Sequence, residues 1–501
     1  MKRFTFYMIG ILVSFYMFAS CSDLLDQAPT SQYSSDTFWK TKEHADAGLI
    51  GCYNALLPWR SLYSIEFDMI TSNAMPYNES NGTQAVGKGE HLSTTDLIRY
   101  LWRDCYIGIG RTNTFLDNIE TVTMDEGLKS RMIGEAKFLR SFFYFYLADR
   151  FGGVPLIVEA PNAEKHAALP RDTKEAVLGQ MLSDLTDAAA VLPETYSGTD
   201  LGRVTKGAAL SLKARLLLYN GQWSEAATIA KQVMDAGVYS LFGDYRRLFM
   251  EANKHHSEVI FNVESSSPDF TTDNDQWIFR LNRPAPLKEL VDKYQMTDGL
   301  SIANSPLYDS DKPYENRDPR LLYTITCIGY PYNGELITKE NVMTTGFGMK
   351  KYTSYEDNVK IPLVERSAFN AILIRYAEIL LTYAEAQNEA FGPDQSVYDA
   401  VNQVRKREGV NMPEIAANLT KEQMREVIRL ERRIEFALEG LYYSDVLRWR
   451  TIETENNGVM HNSDGIEIVI RSFRADRDYL WPIPYNQIIQ NPSLVQNPNW
   501  D

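Results

Sequence analysis

Residues 205–219 and 223–236 each repeat small and aliphatic side chains at helical spacing, and little more than Gly221 separates them. The first stretch sets Ala208, Leu212, Leu216 and Tyr219 on one face. The second sets Trp223, Ala226, Ala227, Ala230, Val233 and Met234 on another, the i, i+3, i+4, i+7 recurrence of an amphipathic helix. Two such helices joined by so short a turn must pack antiparallel, and alanines on the inner faces let them approach closely. The same grammar returns later. Residues 371–390 align Ala377, Leu380, Leu381 and Ala384 before a Gly392-Pro393 break, and residues 396–408 align Val397, Ala400, Val401 and Val404. A long helix is expected over 420–440. Upstream, helices are expected over 37–57, 96–120, 128–150 and 172–192. In 128–150, Ile133, Ala136, Arg140, Phe143, Tyr144 and Leu147 share a face, and Gly152, Gly153 and Pro155 stop the helix.

Helix pairs of about 34 residues with alanine-rich contact faces look like tetratricopeptide-type units, which stack into a right-handed solenoid. Between about 240 and 370 this pattern lapses. Gly, Pro, Asn, Asp and Tyr dominate there, with short strand-like pieces such as Glu258–Val263. A loop-rich insertion of that size in a helical scaffold is where function usually lies. Residues 58–95 form a second irregular segment, and 465–501 a Pro-studded tail. The fold expected is mostly α: a helical scaffold (37–57, 96–236 and 371–450) carrying a loop-rich lobe with few short strands (58–95 and 240–370).

The N-terminus is of another kind. Lys2 and Arg3 precede fifteen uncharged residues, 4–18, too few for the ~20 of a spanning helix but fitting the apolar region of a secretory signal. Ala19-Ser20-Cys21 then resembles a bacterial lipobox, so residues 1–20 read as a lipoprotein signal peptide and Cys21 as the lipidated residue. Residues 21–36 are a polar, Pro-containing leash. Removing 1–20 takes two basic and no acidic residues from a chain of 51 basic and 66 acidic, moving the net charge from −15 to −17. That sign, and the lack of any run of five Lys/Arg, argues against a nucleic-acid partner. Cys52, Cys105 and Cys327 sit in apolar contexts and read as buried thiols rather than a disulfide framework.

Catalytic constellations are missing. The chain has no H-E-x-x-H, G-x-S-x-G, C-x-x-C or Walker loop. Its one adjacent histidine pair, His255-His256, points to different sides of most backbones, so no metal site is expected there. No enzyme and no cofactor are expected; a structural Ca²⁺ under a loop is left open.

A set of segments in fixed order resembles the SusD-like (RagB/SusD) outer-membrane glycan-binding lipoproteins across Cys21–Asp501. These are Cys21–Asp26 with Phe38–Thr41, GEAKFLRSFFYFYLADRFGGVPL (134–156) and RVTKGAALSLKARLLLYNGQW (203–223). Met296–Gly299 and Arg317–Leu321 follow, then RYAEILLTYAEAQNE (375–389), ERRIEFALEGLYYSDVLRW (431–449) and YLWPIPYNQIIQNPSLVQNPNW (479–500). The resemblance implies four tetratricopeptide-like helix pairs with a loop-rich partner lobe. It also implies a position on the outward face of the outer membrane, held by the N-terminal lipid. The partner implied is a SusC-type TonB-dependent transporter, over which the protein acts as a hinged lid that delivers a captured oligo- or polysaccharide. The alternatives are the same lid role with peptide cargo, and a tetratricopeptide-type protein-binding scaffold.

A glycan site needs exposed aromatic platforms flanked by polar side chains, because sugars present apolar C–H faces and a ring of hydroxyls. Two loops have that mixture, and both fall where the family's variable ligand-binding regions lie: residues 59–79 and 269–280. The candidate ligand contacts are Trp59, Asn73, Tyr77, Asn78, Trp277 and Arg280. Trp39, Trp102, Trp449 and Trp481 read as framework, with the Trp481–Pro484 segment pinning the tail. Arg375, Glu378 and Glu385 read as a salt-bridge network along one helical face.

Overall fold

The computed structural model describes residues 38–60, 63–79 and 81–500. The expected signal segment, Cys21 and the expected leash lie outside the described residues. The main helices are α1 (Lys42–Tyr53), α2 (Tyr63–Met69), α3 (Asp96–Ile119), α4 (Glu126–Phe151), α5 (Lys174–Val191) and α6 (Lys206–Tyr219). Then come α7 (Trp223–Asp235), α8 (Tyr376–Phe391), α9 (Gln395–Arg405), α10 (Lys421–Glu435) and α11 (Tyr442–Arg448). From α3 to α9 each packs on the next, α1 lies on α3, and α10 lies on α8. The solenoid therefore runs without a break across the long insertion: α7 packs directly on α8 although some 140 residues separate them in sequence. Among the described residues no helix is long and apolar enough to cross a membrane.

Local chemistry sets the helix ends. The Asp125 carboxylate accepts from Leu128 N at 2.8 Å and Thr205 Oγ1 from Ala208 N at 3.1 Å, while Thr420 and Gln423 form a reciprocal capping box. Gly152, at φ +74°, ends α4 where a side chain would be strained. The core follows the alanine pattern: Ala208, Ala226, Ala227, Ala230, Ala377 and Ala384 are all buried. α4 is buried nearly all round. Its Phe138, Phe142, Phe143 and Leu147 form the hub of the main core.

Paired charges clamp the layers. Arg140 on α4 grips Asp184 on α5 through two bonds of 2.8 Å, and Arg215 on α6 grips Glu378 on α8 through two of 2.6 Å. Arg448 on α11 holds Glu385 on α8 at 2.5 and 2.7 Å. All are bidentate fork-to-carboxylate pairs.

Besides a short hairpin of Pro331–Tyr332 with Glu335–Leu336, the strands form two-stranded ladders: β1 (Ala74–Met75), β2 (Val259–Val263), β3 (Ala285–Pro286), β4 (Ile325–Cys327), β5 (Phe347–Met349), β6 (Ala371–Arg375), β7 (Gly458–His461) and β8 (Glu467–Arg471). β1 pairs with β3, β2 with β6, β4 with β5, and β7 with β8, all antiparallel. β6 differs from expectation, since residues 371–375 were read as the first turn of a helix. Ile372, Leu373 and Ile374 make a branched, apolar run that pairs with β2 instead, and the helix begins at Tyr376. The segment 58–95 also holds more helix than expected, with α2 and a short helix at Thr83–Lys88. Cys52, Cys105 and Cys327 are buried free thiols.

Trp102 and Trp481 are buried; Trp39 and Trp449 are half-buried. Trp481 N donates to Arg150 O at 2.7 Å and its indole Nε1 to Tyr443 Oη at 2.9 Å, which fastens the C-terminal segment to α4 and α11.

Arg375, Glu378 and Glu385 belong to separate buried clusters rather than to one helix face. Arg375, at the end of β6, bonds Glu258 and Glu435 at 2.7 Å each and Glu439 at 2.8 Å. Arg407 joins the same Glu258 and Glu435. Arg320 binds Asp318, Glu431 and Glu435, Arg405 binds Glu431, and Lys351 binds Glu439. Arg320, Lys351, Arg375, Arg405 and Arg407 thus neutralise Asp318, Glu258, Glu431, Glu435 and Glu439 inside the protein, where α9, α10 and the lobe meet.

Candidate ligand-binding site

The two loops singled out in the sequence meet. β1 and β3 pair with Ala74 opposite Pro286 and Met75 opposite Ala285, and Leu287 N donates to Asn73 O at 2.9 Å. Ile65, Met69 and Ala74 from the first segment share one apolar core with Ile278 from the second.

The second loop is shaped by one π-helical turn, Gln276–Arg280, closed by Leu281 N donating to Gln276 O at 3.0 Å. Such turns are rare and recur at functional sites. Here the turn buries Ile278 and leaves Trp277 half-buried and Arg280 exposed. Arg283 N then donates back to Trp277 O at 2.9 Å, and the Arg283 guanidinium lies against the Trp277 ring. A buried carboxylate holds that guanidinium. Glu66 takes a bond from Arg283 Nη2 and another from Thr83 Oγ1 at 2.5 Å. Burial raises the Glu66 carboxyl above its usual range, although Arg283 and Thr83 both oppose that.

The predicted contacts divide into two groups. Tyr77 is 40% exposed, and the Asn78 and Arg280 side chains are exposed with no hydrogen bond or ion pair among the described residues. Together with the half-buried Trp277 they put aromatic surface and free donors and acceptors on the two segments that the β1–β3 ladder and the shared apolar core join, and Phe270, 50% exposed, extends the second loop's apolar surface.

Trp59 and Asn73 are not part of that surface. Trp59 is wholly buried, 4.9 Å from Tyr63, 5.5 Å from Phe142 and 5.4 Å from Tyr146 by ring centroids. It plugs the core beneath the loop, where no ligand reaches. Asn73 is also buried, and its amide is spent within the protein: Nδ2 donates to Asp68 Oδ1 at 2.9 Å and Oδ1 accepts from Arg433 Nε at 2.9 Å. Asp68 takes a further bond from Gly440 N, and burial pushes its carboxyl up to about 6 against these donors. Asn73 and Asp68 therefore tie the first loop to α10 and the turn that follows it.

Asn274 and Asp275, polar residues of the second loop, are likewise buried. Asp275 accepts from Ser354 N and Oγ at 2.7 and 2.9 Å. Sequence reasoning missed Glu66, Thr83 and Arg283, which set Trp277 from beneath. Glu66 lies within the first loop and Thr83 and Arg283 just beyond the two loops, and nothing in the local pattern distinguishes them from surface polar residues. His255 faces Glu264 at 3.5 Å and His256 stacks on Phe242, so the pair diverges. Among the described residues no group of three His, Cys, Asp or Glu is arranged to hold a metal ion.

Two family models match the chain in tandem. One, described as the SusD family, matches residues 257–500, and one described as "Starch-binding associating with outer membrane" matches residues 23–218. SusD-like protein P38 of Formosa agariphila is 26% identical, with 97% of each chain covered. Starch-binding protein SusD of Bacteroides thetaiotaomicron is 31% identical over 162 residues, 31% of this chain and 28% of that one. The crystal structure of a SusD-like carbohydrate-binding protein from Bacteroides fragilis superposes with a TM-score of 0.85 at 28% identity, covering 92% of this chain and all of that one. In sequence and in fold, the chain belongs to the SusD-like family.

Proposed function

We propose that this protein is a cell-surface glycan-binding lipoprotein that captures oligo- or polysaccharide on the rim formed by Tyr77, Asn78, Trp277 and Arg280. It would deliver the glycan, as a hinged lid, to a SusC-type TonB-dependent transporter. The observation that carries this reading is the β1–β3 pairing, which joins the segments of two separate aromatic loops, while the exposed Asn78 and Arg280 side chains have no partner among the described residues. Aromatic faces meet sugar C–H surfaces, and free amide and guanidinium groups meet hydroxyls. The carbohydrate-binding and starch-binding relatives support the same substrate class. In this reading residues 1–20 are a signal peptide, Cys21 carries the lipid, residues 21–36 are the leash and 37–501 the body. The lipid holds the body at the outer membrane, facing the exterior, and no step requires a cofactor or catalysis.

An open rim of this kind supports affinities on the order of mM to μM, roughly −4 to −8 kcal/mol. Native affinity electrophoresis of residues 22–501 through gels holding a polysaccharide panel tests the reading, run beside Tyr77→Ala/Trp277→Ala. Retardation by one glycan that the double variant loses is the expected result. Retardation that survives the double variant moves the site, and no retardation by any glycan turns the reading to peptide cargo.

A further inference from the structure

A second cleft, of about 690 Å³, opens between residues 242–247 and 356–358 of the lobe and residues 408–409 at the end of the solenoid. It shares no residue with the Tyr77–Trp277 rim. Its volume falls in the range of about 300–1,000 Å³ common for small-ligand sites. Tyr323 lines it and spans the joint, its hydroxyl donating to Gly409 O at 3.2 Å. The ring is half-buried, so it is held in place and still offers surface.

Most charges around this cleft are already satisfied. Arg247 is shared by Glu356 at 2.8 Å and Asp244 at 3.8 Å, and Asp357 is taken by the buried Lys350 at 2.8 Å. Arg246 donates to the Lys350 and Tyr355 carbonyls. Two polar groups are left over: the Glu408 carboxylate and the Asn358 amide, both exposed and neither with a hydrogen bond or ion pair among the described residues. Gly243 keeps room for the first of these, since a Cβ there would stand 3.0 Å from Glu408 Oε2. The cleft therefore presents the Tyr323 ring, with the half-buried Phe242 also in its wall, one free acceptor and one free amide, within a charge set that is otherwise internally balanced.

We infer that this cleft is a second glycan-binding site, taking one or two rings of a neutral saccharide, with a sugar face on Tyr323 and hydroxyls on Glu408 and Asn358. The inference rests on the glycan-binding reading above and adds a site to it. Internal pairing of the other charges favours a neutral ligand over a cationic peptide, because only Glu408 remains to attract a positive charge.

Calorimetric titration of residues 22–501 with neutral hexasaccharides of glucan, mannan, xylan, galactan and fructan type tests it, with tetralysine as a separate titrant. The expected result is a stoichiometry of two for one of the saccharides. It falls to one in Trp277→Ala, and it also falls to one in Tyr323→Ala and in Glu408→Gln, where the second-site affinity drops at least tenfold. Tyr323→Phe, which keeps the ring, should stay within about threefold of the parent. Glu408→Gln removes no contact within the protein, so its result does not depend on folding. A stoichiometry of one that Trp277→Ala abolishes and Glu408→Gln leaves alone overturns the second site and keeps the proposed function. Tetralysine binding lost in Glu408→Gln, without saccharide at that cleft, overturns the neutral-glycan assignment. Saccharide heat in none of the titrations overturns both.

Discussion

The guanidinium of Arg283 lies over the ring of Trp277, its central carbon 5.7 Å from the ring centroid, while its Nη2 is bound to the buried Glu66. A half-exposed aromatic is thereby set by an ion pair beneath it. Arg283→Met should lower stability by roughly 3–5 kcal/mol, because it strands a buried carboxylate, and should weaken glycan retention. Glu66→Gln/Arg283→Met should recover most of the stability in urea unfolding and none of the retention on the gel. Full retention by the double variant would mean that Arg283 plays no part in setting the ring.

Trp59→Ala should behave in the opposite sense. Removing a wholly buried indole from among Tyr63, Phe142 and Tyr146 should cost about 3–5 kcal/mol. Glycan retardation at a temperature where the variant stays folded should be unchanged. A selective loss of retardation with normal stability would return Trp59 to the binding surface.

Acid should unfold the protein through its buried carboxylates. Burial pushes Glu435 upward, but Arg407, Arg375 and Arg320 together hold it well below the usual carboxylate range; Glu258 is lowered by Arg407 and Arg375 against the same burial. Burial likewise opposes the lowering of Glu385 by Arg448 and Arg432. A carboxyl whose folded pKa lies below its unfolded value stabilises at neutral pH, and that contribution fades as pH falls below about 4.3. The melting temperature should therefore drop steeply between about pH 5 and pH 2. Arg375→Met should lower it at neutral pH and flatten the acid limb.

His91 adds a second, milder slope. Its ring is buried against Trp500 at 4.8 Å, and burial lowers its pKa to about 4, with Asp478 opposing and Arg477 adding to the shift. Arg477 in turn stacks on the other ring of this pair, 4.2 Å from the Trp500 centroid. The unfolded chain binds the proton more readily between about pH 6.5 and 4, so stability falls with pH in that window, by on the order of 2–3 kcal/mol. His91→Phe should remove that slope and leave the steeper one below it. An unchanged profile between pH 6.5 and 4 would show that His91 already titrates freely in the folded protein.

The helical scaffold was legible because its signal is periodic. Ala226, Ala227, Ala230 and Val233 can lie on one side only of a helix, and they do. The 371–375 stretch was misread because Ile372, Leu373 and Ile374 satisfy a helical and a strand pattern equally well over so few residues. Only the distant partner Val259–Val263 decides between them. Trp59 and Trp277 look alike in sequence, each an aromatic in a polar loop. Their difference is tertiary: α4 covers the first, and a single π turn lifts the second to the surface. Tyr77, Asn78 and Arg280 were legible as exposed polar or aromatic loop residues. That their two segments are joined follows from a two-residue ladder, which no local pattern announces.

The β2–β6 ladder sets Val263 directly opposite Ala371. Everything between these two residues leaves the scaffold and returns to it at one point, while α7 and α8 close against each other regardless of what lies outside. The second aromatic loop, and Tyr323 with the Glu356–Asn358 wall of its cleft, are thus carried on a cassette whose two ends are neighbours. Such a cassette can be rebuilt without re-solving how α7 and α8 pack, provided that Arg320 and Lys351 still meet the buried Glu431, Glu435 and Glu439. A chimaera spliced at residues 263 and 371 is the natural unit in which to move specificity from one such protein to another.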